Sequence, residues 1–159
     1  MKDLSHIDDE GRARMVDVTN KPVTSRRASA VGQLVCLAET ITRVRAGKAP
    51  KGSVIQTAEI AGVMAAKRTA ELIPLCHPLV LTNIAVTIKI DDSLPGFRVT
   101  AEVRAAGVTG VEMEALTAVS VACLTLFDML KAIDRTMVIG GIEVAAKEGG
   151  QSGDWASSK

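Results

Sequence analysis

The sequence predicts an α+β fold in which helices cover one face of an antiparallel sheet. Two segments, 84–90 and 97–104, alternate apolar and polar residues as half-buried strands do. A third segment, from about 110 to 132, repeats its apolar residues with the period of a helix. Counted from residue 25, the predicted order is strand, helix in two pieces, strand, strand, helix and strand. This order, βαββαβ, is that of the split βαβ or ferredoxin-like arrangement.

The first elements follow from short-range signals near the amino end. Residues 15–23, MVDVTNKPV, predict an extended segment that is ended by Pro22. Small and apolar residues in 25–36 predict the first strand. Residues 37–47 then place apolar side chains on one helical face, and Gly47 supplies the glycine that commonly follows the end of a helix.

The second helical piece begins after Ser53, which forms the pattern of a capping box with Gln56. Pro74 sets the latest residue at which this piece can end, because a proline disfavours helical geometry in the residue before it. The turn DDSLPG then joins the two alternating strands as a hairpin.

A second capping box, Thr109 with Glu112, opens the long helix, which we expect to run from about Gly110 to Ala132. Residues 136–146, TMVIGGIEVAA, predict the last strand. Glu112 is the third helical residue of this capping box, and capping alone is enough to explain its presence. A further role for Glu112 stays open.

The length of 159 residues suits a single domain spanning 1–159. We expect its ends, 1–12 and 150–159, to be mobile; the second of these is rich in Gly and Ser. Nineteen basic residues nearly balance eighteen acidic ones, and two Phe, one Trp and no Tyr leave little aromatic surface to stack on bases. These features argue against a nucleic-acid partner.

The cysteines are typical of a protein kept in a reducing compartment. Cys36, Cys76 and Cys123 lie far apart and form no C-x-x-C pattern. The charged amino terminus does not have the pattern of a signal peptide, and polar residues interrupt the most apolar helix, so we expect no membrane span. The sequence therefore predicts a cytoplasmic protein.

The segment LIPLCHPL, residues 72–79, places Cys76 and His77 between two prolines. Pro74 and Pro78 fix φ and push the residues before them out of helical geometry, so the pair should sit on a stiff loop. A half-buried histidine beside a small apolar cysteine explains the pair as well as a functional role does. Zinc is the weaker interpretation, because no further Cys or His lies at a useful spacing.

Polar residues occupy only a narrow stripe of the long helix, formed by Glu114, Thr117, Asp128 and Lys131. The wide apolar arc around this stripe predicts that the sheet and another subunit cover most of the helix. Asp128 and Lys131 can form either an exposed ion pair or an acid and a base buried at an interface. Glu114 and Asp128 are separated by about 21 Å of helix, so only a two-fold contact between chains could bring both to one small substrate.

Other basic residues carry weaker signals. Lys51 lies in GKAPKGS, which lacks the G-x-x-x-x-G-K-[ST] pattern of a P-loop, and it is either a solvated or a functional lysine. Five further basic residues would suit a phosphate-bearing ligand if the fold gathered them, although dispersed surface charge explains them equally well. They are Arg26, Arg27, Lys67, Arg68 and Lys147.

Four longer blocks resemble one known family. They are MVDVTNKPVTSRRASA, IAGVMAAKRTAELIPLCHPL, TGVEMEALTAVSVACLTLFDMLKAID and AKEGGQSGD. Together and in this order they resemble the MoaC family, the cyclic pyranopterin monophosphate synthases of molybdenum-cofactor (molybdopterin) biosynthesis. The resemblance runs from about Ile7 to Asp154, nearly the whole chain.

The resemblance implies a lyase that converts 3′,8-cyclo-7,8-dihydroguanosine 5′-triphosphate into cyclic pyranopterin monophosphate and pyrophosphate. Both ring rearrangement and closure of the cyclic phosphate need proton transfers, for which lysines and carboxylates are suited. The resemblance assigns catalysis to Lys51, Asp128 and Lys131. It assigns substrate contacts to Leu75, Cys76, His77, Met113 and Glu114, with Glu112 beside them. Arg26, Lys67 and Lys147 match basic positions that we expect to hold the triphosphate.

The resemblance also implies a homohexamer, a trimer of dimers, with the active site at the dimer interface. It implies no protein-bound cofactor and no metal site, and magnesium enters only as a counterion of the substrate triphosphate. Two rival functions compete with this one. The first is a non-catalytic, oligomeric ferredoxin-like module that binds a small ligand, and the second is a metal hydrolase that uses Cys76 and His77.

Overall fold

The computed structural model describes residues 6–158. Its elements are β1 (Thr24–Val35), α1 (Ala38–Arg45), α2 (Val54–Ala66), α3 (Thr69–Leu72), β2 (Leu81–Asp91), β3 (Gly96–Gly107), α4 (Glu112–Leu130), β4 (Val138–Glu148) and β5 (Trp155–Ala156). All four predicted strands are present, close to their predicted bounds. Of the ends predicted to be mobile, residues 1–5 and 159 lie outside the described residues, and for the others mobility stays a prediction.

The five strands form one antiparallel sheet in the order β2-β3-β1-β4-β5. The first four have the ferredoxin-like arrangement, so the predicted fold class is confirmed. The edge strand β5 was not predicted, because two residues are too few to show a periodic pattern. It pairs Trp155 with Lys147 and Ala156 with Ala146.

Helices α2 and α4 cover one face of the sheet. On β1, the side chains of Ala28, Ala30 and Leu34 point toward them and are buried. Gly32 lies on the same face, where a Cβ atom would come within 2.5 Å of Val119 Cγ1. Only a residue without a side chain therefore allows α4 to pack this closely on β1.

Helices α2 and α4 run in opposite directions. Lys51, just before α2, reaches the far end of α4, where its Nζ lies 2.7 Å from Asp128 Oδ2. Farther along α2, a Cβ on Gly62 would lie 2.9 Å from the carbonyl oxygen of Ala118. The end of α2 therefore lies beside the beginning of α4.

The pairing of β4 with β1 contains a bulge that determines which face Lys147 occupies. Ala28 is opposite Lys147, whereas Ala30, two residues farther along β1, is opposite Val144, three residues back along β4. Because side chains alternate between the two faces, the extra residue exchanges the faces of everything beyond it. Lys147 consequently lies on the helix side of the sheet.

Neither predicted capping box forms. Ser53 is the N-cap of α2, but its side chain makes no capping hydrogen bond. Helix α4 begins at Glu112 after the N-cap Val111, two residues later than predicted, and no side chain caps it. The Glu112 carboxylate instead folds back over Gly110, where a Cβ would overlap its Oε2 atom.

By length and composition α4 could cross a membrane, with a mean hydropathy of 1.6, but 56% of that segment is buried inside the protein. It is the central helix of the core. The predicted polar stripe along α4 is not uniformly exposed: Glu114 and Thr117 are buried, whereas Asp128 and Lys131 face solvent.

Candidate active site

Charged residues gather at both ends of α4. At its carboxyl end, Lys51, Asp128 and Lys131 form what we term the lysine–aspartate cluster. Asp128 Oδ2 lies 2.7 Å from Lys51 Nζ, and Asp128 Oδ1 lies 2.7 Å from Lys131 Nζ. Lys51 also donates to the carbonyl oxygen of Asp128 at 3.1 Å. One carboxylate thus holds two ammonium groups, one on each oxygen.

The two ammonium groups keep Asp128 ionised. Hydrogen bonds from Lys131 and then from Lys51 lower the pKa of its carboxyl to about 2. The side chains of Lys51, Asp128 and Lys131 are 45%, 54% and 55% exposed. Of the two arrangements that the sequence allowed, the single chain shows the exposed ion pair, extended by Lys51. Burial of this cluster requires another molecule over it.

At the amino end of α4, two open cavities of about 550 Å³ and 330 Å³ adjoin and form what we term the groove. Both are lined by Lys21, Thr109, Gly110 and Glu112. Cavities of this size are typical of sites for small organic ligands. The two halves of the groove differ in chemistry.

The larger half is basic. Lys21, Arg26 and Lys147 line it, and Glu112 is the one carboxylate among the lining residues within 6–158. Lys147 Nζ lies 3.7 Å from Glu112 Oε1 and also donates to the Ser152 hydroxyl. Three cations against one anion suit this half to the phosphate groups of a ligand.

The smaller half is built on the proline loop. It is lined by Leu75, Cys76, His77, Glu112 and Met113, among others. The backbone N–H of Cys76 donates to the carbonyl of Ile73 at 3.1 Å, which closes a turn around Pro74. His77 Nε2 lies 2.8 Å from the carbonyl oxygen of Val16. Since a carbonyl only accepts, Nε2 carries the proton, and the amino-terminal segment holds the loop in place.

Glu114 lies behind the loop and does not line the cavity wall. It is 3% exposed, and its Oε1 accepts a hydrogen bond from Cys76 Sγ at 3.7 Å. Its Oε2 has no hydrogen-bond partner within the described chain. Burial raises the pKa of the Glu114 carboxyl, against the opposing hydrogen bonds from its own backbone and from Cys76. Glu114 thus supports Cys76 from beneath, and its contact with a substrate stays a prediction.

We expect Glu114→Gln to remove a pH dependence of stability. Because burial raises the carboxyl pKa, the folded chain holds this proton more tightly than the unfolded chain does. The stabilisation is complete below the unfolded pKa and is lost as the pH rises through the folded pKa. Relative to the variant, the wild type should therefore lose free energy of unfolding as the pH rises above the ordinary range of a glutamate pKa, measured by urea titration. Glu71→Gln, at an exposed glutamate, is the control, and a difference that stays constant with pH would contradict the expectation.

Within residues 6–158, no three His, Cys, Asp or Glu side chains are grouped so that they could hold a metal ion. Burial and then the charge of Glu114 raise the pKa of the Cys76 thiol to about 11, so the thiol is protonated near neutral pH. Cys76 and His77 alone would supply fewer ligands than a zinc site needs.

Lys67 lines neither half of the groove. It is exposed and directly follows α2. Since α2 ends beside the beginning of α4, Lys67 lies at the same end of the helix pair as Glu112. Its predicted contact with a triphosphate stays a prediction.

A single chain does not bring all the predicted site residues together. Met113 is the groove residue nearest to Asp128 along α4, and the two are separated by about 22 Å of helix. The groove and the lysine–aspartate cluster of one chain therefore cannot serve the same small substrate atom.

Lys21 is a groove residue that the sequence analysis did not single out. It lines both halves, and its backbone N–H donates to the carbonyl of Val18 at 3.0 Å in the turn that precedes Pro22. The one signal that could have found it is its position in MVDVTNKPV, the first of the four blocks.

The fold and these two regions define a ferredoxin-like α+β protein with a groove whose larger half is rich in cations and a cluster in which two lysines share one carboxylate. The MoaC family matches residues 15–150. The chain belongs to the MoaC family, and the resemblance noted from the four blocks is confirmed.

Relatives of nearly the same length support this assignment. The chain is 59% identical over 155 residues to the cyclic pyranopterin monophosphate synthase of Brucella ovis. The aligned region covers 98% of this chain and 94% of that protein. It is 57% identical over 157 residues to the enzyme of the same name from Methylobacterium sp. (strain 4-46), covering 99% of this chain and 98% of the relative. For Methylobacterium nodulans the identity is 58% over 153 residues, with 96% of each chain covered.

Proposed function

We propose that this enzyme is a cyclic pyranopterin monophosphate synthase of molybdenum-cofactor biosynthesis. It converts 3′,8-cyclo-7,8-dihydroguanosine 5′-triphosphate into cyclic pyranopterin monophosphate and releases pyrophosphate. The observation that carries the proposal is the lysine–aspartate cluster, with two ammonium groups each 2.7 Å from one carboxylate, in a chain of this family.

The reaction needs groups that give and take protons. Closing the cyclic phosphate joins a sugar hydroxyl oxygen to phosphorus, breaks the bond from that phosphorus to pyrophosphate, and releases the hydroxyl proton. We assign proton transfer to Lys51 and Lys131. Asp128, whose lowered pKa makes it a weak base, holds both lysines in place and balances their charge.

The groove supplies substrate binding. Its basic half, with Arg26 and Lys147, suits the phosphate groups, and Lys67 lies at the same end of the molecule. Its other half presents the proline loop and Met113 to the ring system, and Glu112 can accept the N–H groups of the guanidine edge. The two halves thus match the two chemical parts of one nucleotide. No resident cofactor enters this assignment, and magnesium would arrive with the triphosphate.

The complete active site needs two copies of the chain. Because the cluster and the groove lie about 22 Å apart along α4, a two-fold contact would place the cluster of one copy beside the groove of the other. Exposed apolar side chains on α2 and α4, Ile60, Met64 and Leu124, are 61%, 53% and 59% exposed and give such a contact an apolar surface to bury. We extend this dimer to a hexamer, a trimer of dimers, in the cytoplasm.

Turnover of the cyclised GTP derivative tests the proposed function. The purified protein should release pyrophosphate and pyranopterin product in equal amounts. A non-catalytic binding module would instead bind the substrate without releasing pyrophosphate. A metal hydrolase acting through Cys76 and His77 would contain stoichiometric zinc, and we expect a metal assay to find none.

A further inference from the structure

Arg26 is the arginine that lines the larger half of the groove. Its Nε donates to the carbonyl of Gly107 at 3.3 Å, and it forms no salt bridge with any carboxylate of residues 6–158. Lys147, on the same wall, shares its charge with Glu112. A guanidinium without a carboxylate partner is the group best suited to accept a phosphate in two parallel hydrogen bonds.

The position of this guanidinium depends on a neighbouring glycine. Gly150 has a φ of +83° and lines the larger half of the groove. A Cβ built on it would lie on Arg26 Nη1, far inside the 3.0 Å that real Cβ contacts keep. The end of the Arg26 side chain therefore occupies the space that any side chain at position 150 would need.

We propose that Gly150 is a positioning residue for Arg26. Its missing side chain leaves room for the guanidinium at the edge of the groove, where that guanidinium binds the phosphate groups of the ligand. The inference rests on the proposed function in one respect, since it takes the ligand to be a polyphosphate.

The neighbouring glycines allow this role to be separated from a general effect on the turn. At Gly149, with a φ of +88°, a Cβ would overlap the backbone carbonyl of Ser25, which can move only if β1 moves. At Gly150 the obstructing atoms belong to the far end of a flexible side chain, which can swing away while the fold stays intact. At Gly153, with a φ of +71°, nothing lies within 4 Å of a built Cβ.

Gly153→Ala is therefore the matched control for Gly150→Ala. Both variants carry the same kind of backbone strain, because both place an alanine at positive φ in one short loop. They differ in whether the new methyl group displaces Arg26. Both should lower the melting temperature by similar amounts.

The experiment measures binding of inorganic pyrophosphate by isothermal titration calorimetry. Gly150→Ala should weaken binding about tenfold, the size expected for losing a charge-assisted hydrogen bond, and Gly153→Ala should bind as the wild type does. In an Arg26→Ala background, Gly150→Ala should weaken binding no further, because the group through which it acts is gone. In turnover, Gly150→Ala should raise KM for the triphosphate substrate with little change in kcat.

Three results would overturn the inference. The first is equal binding by Gly150→Ala and Gly153→Ala, and the second is no binding of pyrophosphate by the wild type. The third is a further loss of binding in the Arg26→Ala background, which would mean that the methyl group blocks the groove itself.

The proposed function and the role of Gly150 can fail independently of each other. A wild type that binds pyrophosphate but never turns over the substrate overturns the proposed function and leaves the role of Gly150 testable. A wild type that turns over, with Gly150→Ala unchanged in KM, overturns only the role of Gly150.

Discussion

Asp128→Asn should lower kcat for pyrophosphate release by about 10²- to 10⁴-fold, the range for losing acid–base catalysis, because the two lysines that transfer protons lose the carboxylate that holds them. The protein should stay folded. The side chain is exposed and asparagine keeps its shape, so the fold has no reason to change. Asparagine removes the negative charge that holds Lys51 and Lys131, each 2.7 Å from Asp128. Asp92→Asn is the matched control, because Asp92 is also exposed and paired, 2.6 Å from Arg45, but lies outside both regions. Equal loss in the two variants would contradict the assignment.

The same variant tests whether each active site is shared between copies. When Asp128→Asn is co-expressed with His77→Ala, half of randomly formed dimers are mixed, and each mixed dimer has one intact site of two. Turnover should therefore recover to about a quarter of wild type. Co-expression of Asp128→Asn with Lys131→Ala should recover none, because both changes fall in the same cluster. A complete site within one chain predicts no recovery in either mixture.

Asp134→Ala should lower the free energy of unfolding by about 3 kcal/mol, through the loss of an acceptor for several buried donors. Asp134 is buried, and its Oδ2 accepts hydrogen bonds from the Leu37 N–H at 2.9 Å and the Thr40 hydroxyl at 3.1 Å. Its Oδ1 accepts from the N–H of Thr136 at 2.9 Å. One carboxylate thus fastens the beginning of α1 to the segment that leads into β4. Calorimetry should show a fall in melting temperature of about 10 °C.

Two further measurements distinguish the loss of the Asp134 hydrogen bonds from a simple loss of packing: the stability of Asp134→Asn and the pH dependence of unfolding. Asp134→Asn keeps one acceptor oxygen and should lose less than Asp134→Ala. Burial alone would raise the carboxyl pKa, but hydrogen bonds from Leu37, Thr136 and Thr40 together outweigh it and the pKa is lowered. The stabilisation is therefore present above the unfolded pKa and lost as the pH falls through the folded pKa. Equal melting temperatures for the two variants would contradict this account.

The strands of the sheet were predictable where one face of the strand is buried and the other is exposed. In β2 and β3 one face meets the helices and the other meets solvent, so alternation of side chains is visible in the sequence. The turn between them is closed by Asp91, which accepts from the N–H of Ser93 at 2.8 Å, as its turn residues suggest. The beginning of α4 was less predictable, because the box pattern of Thr109 and Glu112 competes with an ion pair to Lys147 that only the folded chain provides.

The candidate site was predictable in part for similar reasons. The proline loop carries its own rigidity, so LIPLCHPL indicated a preorganised loop without any tertiary information. The contact of Lys51 with Asp128 joins residues 77 apart and exists because α2 and α4 pack in opposite directions. No local pattern contains that contact. The resemblance to a family assigned both residues to catalysis but did not indicate that they touch within one chain. The face occupied by Lys147 depends on a bulge in β4 that the sequence does not mark.

That bulge decides whether the wall of the groove carries a positive charge. If β4 paired with β1 without the extra residue, Ala146 would stand opposite Ala28, and Lys147 would move to the opposite face of the sheet. The phosphate groups of a ligand would then meet a methyl group where they now meet an ammonium group. A single irregularity in the strand pairing thus supplies a cation that an ordinary ladder would have turned away from the ligand.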